Sequence, residues 1–190
     1  MSIKKDFVLP IIVLFVICLV VSGALAIVNN VTKPVIEKAA AERATDARKE
    51  IIPQADGFEI FDIEMLRSDN NMPRAVTEVL KATNDTGYIF TVTEIGYGGE
   101  VNFICGISPN GRIIRAKVLS HNETPSFAAR VFNESHLGQY WDTDRNGIEE
   151  IAAISGATLS SGAFKNAMRH ALTAFEIVSR TTSVQEEASE

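Results

Sequence analysis

The chain has 190 residues, with 18 Lys and Arg against 24 Asp and Glu, which give a formal net charge of −6. That length suits one domain of ordinary size with an appendage. An apolar fraction of 46% is typical of globular chains and excludes intrinsic disorder, while two cysteines are too few for a disulfide-stapled miniprotein. An acidic chain also lacks the basic face that a non-specific nucleic-acid binder needs, so no nucleic-acid partner is expected.

An uncharged apolar segment covers residues 7–28, after the short polar segment 1–6. As a helix it would reach roughly 33 Å, enough to cross a hydrocarbon core of about 30 Å, and we predict a transmembrane helix in the lipid bilayer. The alternative is a cleaved signal peptide, because Lys4 and Lys5 precede the segment and Ala24-Leu25-Ala26 resembles a cleavage site. The apolar segment is, however, longer than the usual h-region of about 7–15 residues.

The two lysines before the span predict which side of the membrane each part of the chain occupies. Positive charge favours the cytoplasmic side, so residues 1–6 are expected to be cytoplasmic and the remainder extracytoplasmic, in a single-pass protein of the cell membrane. Cys18 lies in the predicted span and Cys105 in the remainder, so we expect no disulfide between them.

A juxtamembrane helix is predicted over residues 29–53. Its apolar residues recur at three- and four-residue steps, and its charges alternate in sign, as on a solvated face. Pro53 should end this helix.

The outer domain, residues 54–181, begins with β-type patterns. These patterns cover 58–63, 76–82, 88–94, 101–108 and 112–120, with a loop at 67–73 and a strong hairpin turn at Pro109-Asn110-Gly111. They predict an antiparallel meander of at least three strands.

A helix closes the domain, with Ser160 or Ser161 as the expected N-cap. Its apolar stripe consists of Phe164, Ala167, Met168, Ala171, Leu172, Phe175 and Val178. An antiparallel sheet with flanking helices belongs to the α+β class. Residues 182–190 are acidic and lack periodicity, which predicts a flexible tail.

The most informative segment for function is Ser155-Gly156-Ala157-Thr158-Leu159-Ser160-Ser161, directly before the closing helix. Backbone N–H groups at a helix N-terminus favour an anion such as a phosphate. Gly156 and Ala157 leave no bulky group to block access to the Thr158 hydroxyl. By itself, the segment is also compatible with a simple helix cap.

Two further segments could contact a ligand. In Gly96-Tyr97-Gly98-Gly99 the glycines permit close backbone approach to a flat ligand, and the tyrosine offers a ring; a plain turn between strands is the alternative. In the stretch from His121 to Ala128, Glu123 and Thr124 can form hydrogen bonds, and Phe127 can pack on a ring.

Together with the membrane helix and Ile51-Ile52-Pro53, these segments resemble, in the same order, the G subunit of the Rnf electron-transport complex. They resemble more distantly the C subunit of sodium-translocating NADH:quinone oxidoreductase. The resemblance covers nearly the whole chain. Two departures stand out: Ser126 and Ala128 replace glycines that typically follow Glu-Thr-Pro, and Ala152 replaces an aspartate.

This resemblance implies an FMN-binding domain in which a separate flavin transferase esterifies the FMN phosphate to a threonine, here Thr158. It also implies other membrane subunits as partners. The implied cofactor-binding residues are Tyr97, Gly98, Gly99, Glu123, Thr124, Phe127, Ser155, Gly156, Ala157, Thr158, Leu159, Ser160 and Ser161.

The chain offers no nucleophile–base pair, no metal-ligand spacing and no glycine motif for a dinucleotide. We therefore predict no catalytic residue and no metal site. The resemblance implies an electron relay within an ion-translocating ferredoxin:NAD oxidoreductase, which is incomplete without its partners. Two alternatives stay open: a stand-alone extracytoplasmic flavoprotein reductase, and a non-redox, membrane-tethered interaction module.

Overall fold

The structure is a computed structural model that describes residues 3–187, apart from the side chains of residues 3–7, 69–70 and 183–187. The chain forms two compact units that divide between Glu42 and Arg43. Each unit is described by itself.

The first unit consists of helix α1, Ile3–Ile51, whose last residues belong to the second unit. In the described part of the chain, α1 is the one helix long and apolar enough to cross a membrane. Its large apolar side chains between Val8 and Val28 are exposed, as they are on a helix that faces lipid. The segments predicted as a transmembrane helix and a juxtamembrane helix therefore form one element, with Pro34 inside it.

The second unit is built on a five-stranded antiparallel sheet whose strands lie side by side in chain order. The strands are β1 (Phe58–Ile60), β2 (Val76–Ala82), β3 (Tyr88–Ile95), β4 (Glu100–Ile107) and β5 (Ile113–His121). The helices of this unit are α2 (Ile63–Asn70), α3 (Pro125–Val131), α4 (Glu134–Leu137), α5 (Arg145–Glu150) and α6 (Thr158–Glu187), with a 3-10 turn over Gly138–Tyr140. This arrangement confirms the α+β class.

Both faces of the sheet are covered. On one face, Phe90 and Phe103 pack in a core with Phe164 of α6, and the rings of Phe103 and Phe164 lie 5.3 Å apart. On the other face, Ile51 and Ile52 at the end of α1 pack with apolar side chains of β2, β3 and β4, namely Leu80, Ile89 and Ile104. Cys105 is buried in the first core and Cys18 is exposed, and both are free, as predicted.

Two local predictions were wrong. The segment 67–73 was expected to be a loop, yet α2 covers most of it, because Asp62 caps this helix by accepting hydrogen bonds from the backbone N–H groups of Glu64 and Met65. The closing helix α6 begins at Thr158, so Ser160 and Ser161 lie inside it.

Ser161 forms hydrogen bonds of a different kind from an N-cap. Its Oγ accepts a hydrogen bond from the N–H of Ile154 over 3.1 Å and donates one to the carbonyl of Ala157 over 3.0 Å. It thereby ties the preceding loop to the first turn of α6. At the other end, α6 extends to Glu187, so that the first part of the predicted tail is helical; residues 188–190 lie outside the described residues.

Candidate functional site

The three segments singled out from the sequence meet at one cavity of about 200 Å³. Tyr97 comes from the turn between β3 and β4, Phe127 from α3, and the remaining lining residues from the start of α6 and the loop before it. The lining consists of Tyr97, Phe127, Gly156, Ala157, Thr158, Leu159 and Ser160. A cavity of this size is smaller than most pockets that enclose a whole cofactor, so it suits one part of a larger ligand.

Thr158 lies at the N-terminal end of α6, the helix whose first residues line the cavity. It is the first residue of α6 and is exposed, and the chain reaches it through Gly156, whose φ of +75° favours glycine. The first N–H groups of a helix have no partner within the helix and carry partial positive charge. An anionic group on the Thr158 hydroxyl would therefore lie in a favourable field.

A positively charged side chain, that of Arg130, lies next to this end of α6, and the sequence analysis did not single it out. Nη2 of Arg130, on α3, donates a hydrogen bond to the carbonyl oxygen of Ser155 over 2.8 Å. Its Nη1 would lie 3.5 Å from a Cβ placed on Gly156. Arg130 thus adds a full positive charge beside the loop that leads to Thr158, and this charge favours a phosphate there.

The opposite wall of the cavity is aromatic and apolar. The rings of Tyr97 and Phe127 meet edge to face, with centroids 5.7 Å apart. The Tyr97 and Leu159 side chains are each 64% exposed and leave apolar surface open beside the cavity. A flat aromatic ligand could bury this surface.

Glu123 and Thr124 are not among the described residues that line the cavity. Instead, each accepts a hydrogen bond from the backbone of a lining residue. Glu123 is 5% exposed, and its Oε1 accepts a hydrogen bond from the N–H of Tyr97 over 2.7 Å. The carbonyl of Thr124 accepts hydrogen bonds from the N–H groups of Phe127 and Ala128 at the start of α3. Both residues therefore fix the backbone that carries the aromatic wall.

The remaining candidate residues also have supporting positions. Gly98 passes so close to Asn122 that a Cβ would overlap the Asn122 carbonyl oxygen, and Gly99 has a φ of +119°. Ser155 is exposed and its carbonyl faces Arg130, while Ser161 is buried beneath the first turn of α6.

Redox or metal chemistry supplied by side chains finds no support in the described residues. No group of three or more His, Cys, Asp or Glu side chains in the described part of the chain could hold a metal ion. Cys105 is fully buried, and this burial raises the pKa of its thiol far above the usual range, so that it stays protonated.

Comparison with known proteins agrees with this geometry. Residues 96–173 match the family of FMN-binding domains, a range that begins at the Gly96 turn and includes all the lining residues of the cavity. The observed features fit a flavin mononucleotide: an exposed aromatic wall for a flat ring, and a helix N-terminus with an adjacent arginine for a phosphate.

Longer matches extend over nearly the whole chain. The G subunit of the Na⁺-translocating ferredoxin:NAD⁺ oxidoreductase complex of Acetobacterium woodii is 32% identical over an alignment of 188 positions. This alignment covers 88% of this chain and 91% of that protein. The G subunit of the ion-translocating oxidoreductase complex of Methanosarcina acetivorans is 30% identical over 181 residues, covering 90% and 96%. The G subunit of the proton-translocating ferredoxin:NAD⁺ oxidoreductase complex of Clostridium ljungdahlii is 24% identical over 168 residues, covering 84% and 86%.

The fold and the matched range define the class: this is an FMN-binding α+β domain on a chain with an apolar N-terminal helix. More particularly, the chain belongs to the family of G subunits of ion-translocating, Rnf-type oxidoreductase complexes. The resemblance predicted from the sequence is confirmed, and with it the assignment to a membrane electron-transport complex of the oxidoreductase class.

Proposed function

We propose that this chain is the electron-relay subunit of a ferredoxin:NAD oxidoreductase complex and carries covalent FMN, bound by a phosphoester to Thr158. The observation that supports this most strongly is the position of Thr158. Its exposed hydroxyl lies at the start of α6, in the same cavity as the aromatic pair of Tyr97 and Phe127. The attachment residue and the surface for a flat ring therefore border the same cavity.

At the phosphate end, the chain supplies groups that attract a negatively charged phosphate. The first-turn amides of α6 and the guanidinium of Arg130 face the loop where the phosphoester would form. The new bond joins Oγ1 of Thr158 to the phosphorus of the flavin. The bond from that phosphorus to the leaving group of the flavin donor breaks, and the leaving group departs with the hydroxyl proton, so that the chain gains FMN less one water. A hydroxyl on the surface, as that of Thr158 is, can be reached by a separate flavin transferase.

At the ring end, the residues of the chain provide an apolar surface for contact. Tyr97, Phe127 and Leu159 present apolar surface to a flat ring system. FMN, when bound, accepts and passes on electrons singly or in pairs, and the protein tunes its potential through the charges and hydrogen bonds near the ring. The domain lacks a cluster of metal ligands in its described part, so the flavin is the centre through which we expect electrons to pass.

The location follows from the N-terminal charges and the apolar helix. Lys4 and Lys5 precede the apolar part of α1, which favours a cytoplasmic N-terminus and an extracytoplasmic FMN domain. A covalent bond suits that side of the membrane, because it holds the flavin at an effective concentration that reversible binding of scarce free FMN could not reach.

The relay needs partners. The related G subunits are named as parts of multi-subunit complexes, and we propose that this chain likewise exchanges electrons with other membrane subunits. It would not perform the complete reaction by itself.

The attachment site can be tested by flavin fluorescence on a denaturing gel. The full chain, coexpressed with a flavin transferase, should retain fluorescence after denaturation. Thr158→Ala should abolish this fluorescence, whereas the matched variant Ser155→Ala, at an exposed position three residues earlier in the loop before α6, should keep it. A fluorescent Thr158→Ala chain would refute the attachment site, and a wild-type chain without flavin would instead favour the interaction module.

A further inference from the structure

We propose that Glu123 is a positioning residue whose buried carboxylate holds the 96–99 turn, and with it the Tyr97 ring, against the cavity, without itself touching the flavin. The resemblance implied a different role for Glu123, as a residue that binds the cofactor directly. The part of this inference that concerns the flavin depends on the function proposed above, whereas the part that concerns the turn does not.

The central contact is a hydrogen bond between two loops that are far apart in sequence. Tyr97 donates its backbone N–H to Oε1 of Glu123 over 2.7 Å, and the two residues are 26 positions apart. Glu123 is 5% exposed. Burial strengthens this hydrogen bond, because it lowers the local dielectric and shields the bond from competing water. This bond therefore joins the β3–β4 turn to the loop between β5 and α3.

Two glycines of the turn lie where a side chain would overlap Glu123 or its neighbour Asn122. A Cβ on Gly96 would overlap Oε1 of Glu123, and a Cβ on Gly98 would overlap the carbonyl of Asn122 and lie 2.9 Å from the Cα of Glu123. The turn is closed by a hydrogen bond from the N–H of Gly96 to the carbonyl of Gly99 over 2.8 Å. Gly98 thus allows a close approach of two backbones, and Gly96 leaves room for the Glu123 carboxylate.

Tyr97 needs such an anchor because its side chain is 64% exposed and contacts the edge of Phe127. Phe127 lies four residues after Glu123, on the first turn of α3. Glu123 therefore holds the Tyr97 side of this aromatic contact. Its other oxygen, Oε2, is buried and has no hydrogen-bond partner among the described residues, so the observed bond uses one acceptor, which a glutamine carbonyl can replace.

The turn is tested first without flavin, by hydrogen exchange of the full Thr158→Ala chain in detergent. In this background, Glu123→Ala should speed exchange in the peptide that contains Tyr97 by about tenfold, because the amide loses its acceptor. Glu123→Gln should stay near the parent rate. Glu100→Gln, which changes an exposed carboxylate at the other end of the turn, is the control. Unchanged exchange in Glu123→Ala would overturn the inference.

The effect on the flavin is tested in the loaded chain by visible circular dichroism, which reports the asymmetric surroundings of the ring. Glu123→Ala should lose as much of this signal as Tyr97→Ala does, and Glu123→Gln should retain it. In the double variant Glu123→Ala/Tyr97→Ala the loss should be no greater than in Tyr97→Ala, because both substitutions act through one side chain. A further loss in the double variant would show direct contact with the flavin and overturn the inference.

Gly96→Ala provides an independent route to the same disturbance, since it displaces the carboxylate from the opposite side of the contact. It should mimic Glu123→Ala in both measurements even where Glu123→Ala folds poorly. The intact mass of every loaded chain separates the two proposals: absence of flavin from the wild-type chain would refute the proposed function, while the exchange result would still decide the role of Glu123.

Discussion

Arg130 and Ser155 are 25 residues apart, yet Nη2 of Arg130 donates a hydrogen bond to the carbonyl oxygen of Ser155 over 2.8 Å. This bond places a guanidinium beside the loop that precedes Thr158. Helix α3 thereby contributes to the N-terminal end of α6, which the sequence analysis attributed to residues 155–161 alone.

We expect Arg130→Gln to slow the attachment of flavin to the chain. An ion pair between exposed groups contributes about 0.2–1 kcal/mol, so the loss of the Arg130 charge should slow attachment by roughly 1.5- to fivefold. The measurement is the flavin fluorescence of the denatured chain over the first minutes of coincubation with the transferase and its flavin substrate.

The matched control is Arg145→Gln. Arg145 is also exposed, and it pairs with Glu176 farther along α6, with Nε 3.0 Å from Oε1. Its loss should leave the rate of attachment unchanged. Equal rates for the Arg130 and Arg145 variants would show that the charge next to Ser155 has no part in attachment.

Gly106→Ala should destabilise the FMN-binding domain. Gly106 lies on β4 where Ile51 packs on the sheet, and a Cβ there would overlap Cγ2 of Ile51. Overpacking of a filled core costs about 1–3 kcal/mol of the free energy of unfolding. Thermal unfolding of the full chain in detergent, followed by circular dichroism, should show a lower Tm.

Gly162→Ala is the control for this substitution. Gly162 lies inside α6, and nothing lies within 4 Å of a Cβ placed on it. Because alanine favours a helix interior over glycine by about 0.5–1 kcal/mol, this variant should unfold at a slightly higher temperature. A Gly106→Ala chain as stable as the wild type would contradict the close packing of Ile51 on β4.

The stability of the domain should fall in acid partly through Glu149. Arg169 donates a hydrogen bond to Glu149 with Nε 2.5 Å from Oε1, and Lys165 lies 3.6 Å from Oε2. The hydrogen bond from Arg169, with the positive charges of both residues, lowers the pKa of Glu149 from 4.5 to about 2. Since the folded pKa is the lower one, this stabilisation is present above pH 4.5 and is lost between about pH 4.5 and pH 2.

We therefore expect Glu149→Gln to unfold more easily than the wild type at neutral pH, with a difference that shrinks toward pH 2. The effect should be small and should decrease with added salt, because the three side chains are partly exposed to solvent. Unfolding with denaturant at several pH values measures it. A difference independent of pH would exclude the carboxylate's ionisation as the cause.

The elements with strong patterns could be predicted from the sequence. Strands β3, β4 and β5 are rich in β-branched and apolar residues and are bounded by glycine turns, and their observed limits lie within one residue of the predicted ones. The apolar helix α1 was equally clear because it lacks charge over a long stretch.

Short helices held by tertiary contacts were missed. Helix α2 has a polar sequence resembling a loop, and its one clear signal was Asp62 in the N-cap position. The start of α6 was misplaced because a serine within the first turns of a helix can bond back to a carbonyl four residues earlier, as Ser161 does to Ala157. Sequence proximity gave no sign that Arg130 would reach Ser155.

The three segments of the candidate site could be predicted from the sequence, but the arrangement of their residues around the cavity could not. The three segments were recognised from their glycines, hydroxyls and aromatic residues, and the structure brings Tyr97, Phe127 and Thr158 to one cavity. Which residues line the cavity and which support it depends on side-chain direction, which no sequence pattern determines. Glu123 illustrates this difference: its carboxylate accepts a hydrogen bond from the N–H of Tyr97, and Glu123 is not among the described residues that line the cavity.

The covalent attachment of FMN to Thr158 is most directly tested by mass spectrometry of the full chain, purified from membranes that also contain the flavin transferase. The intact chain should be heavier than its sequence by FMN less one water, and peptide mapping should place this addition on Thr158, with none in the Thr158→Ala chain. Recovery of the peptide that contains Thr158 wholly unmodified, or of the flavin on another residue, would contradict the account.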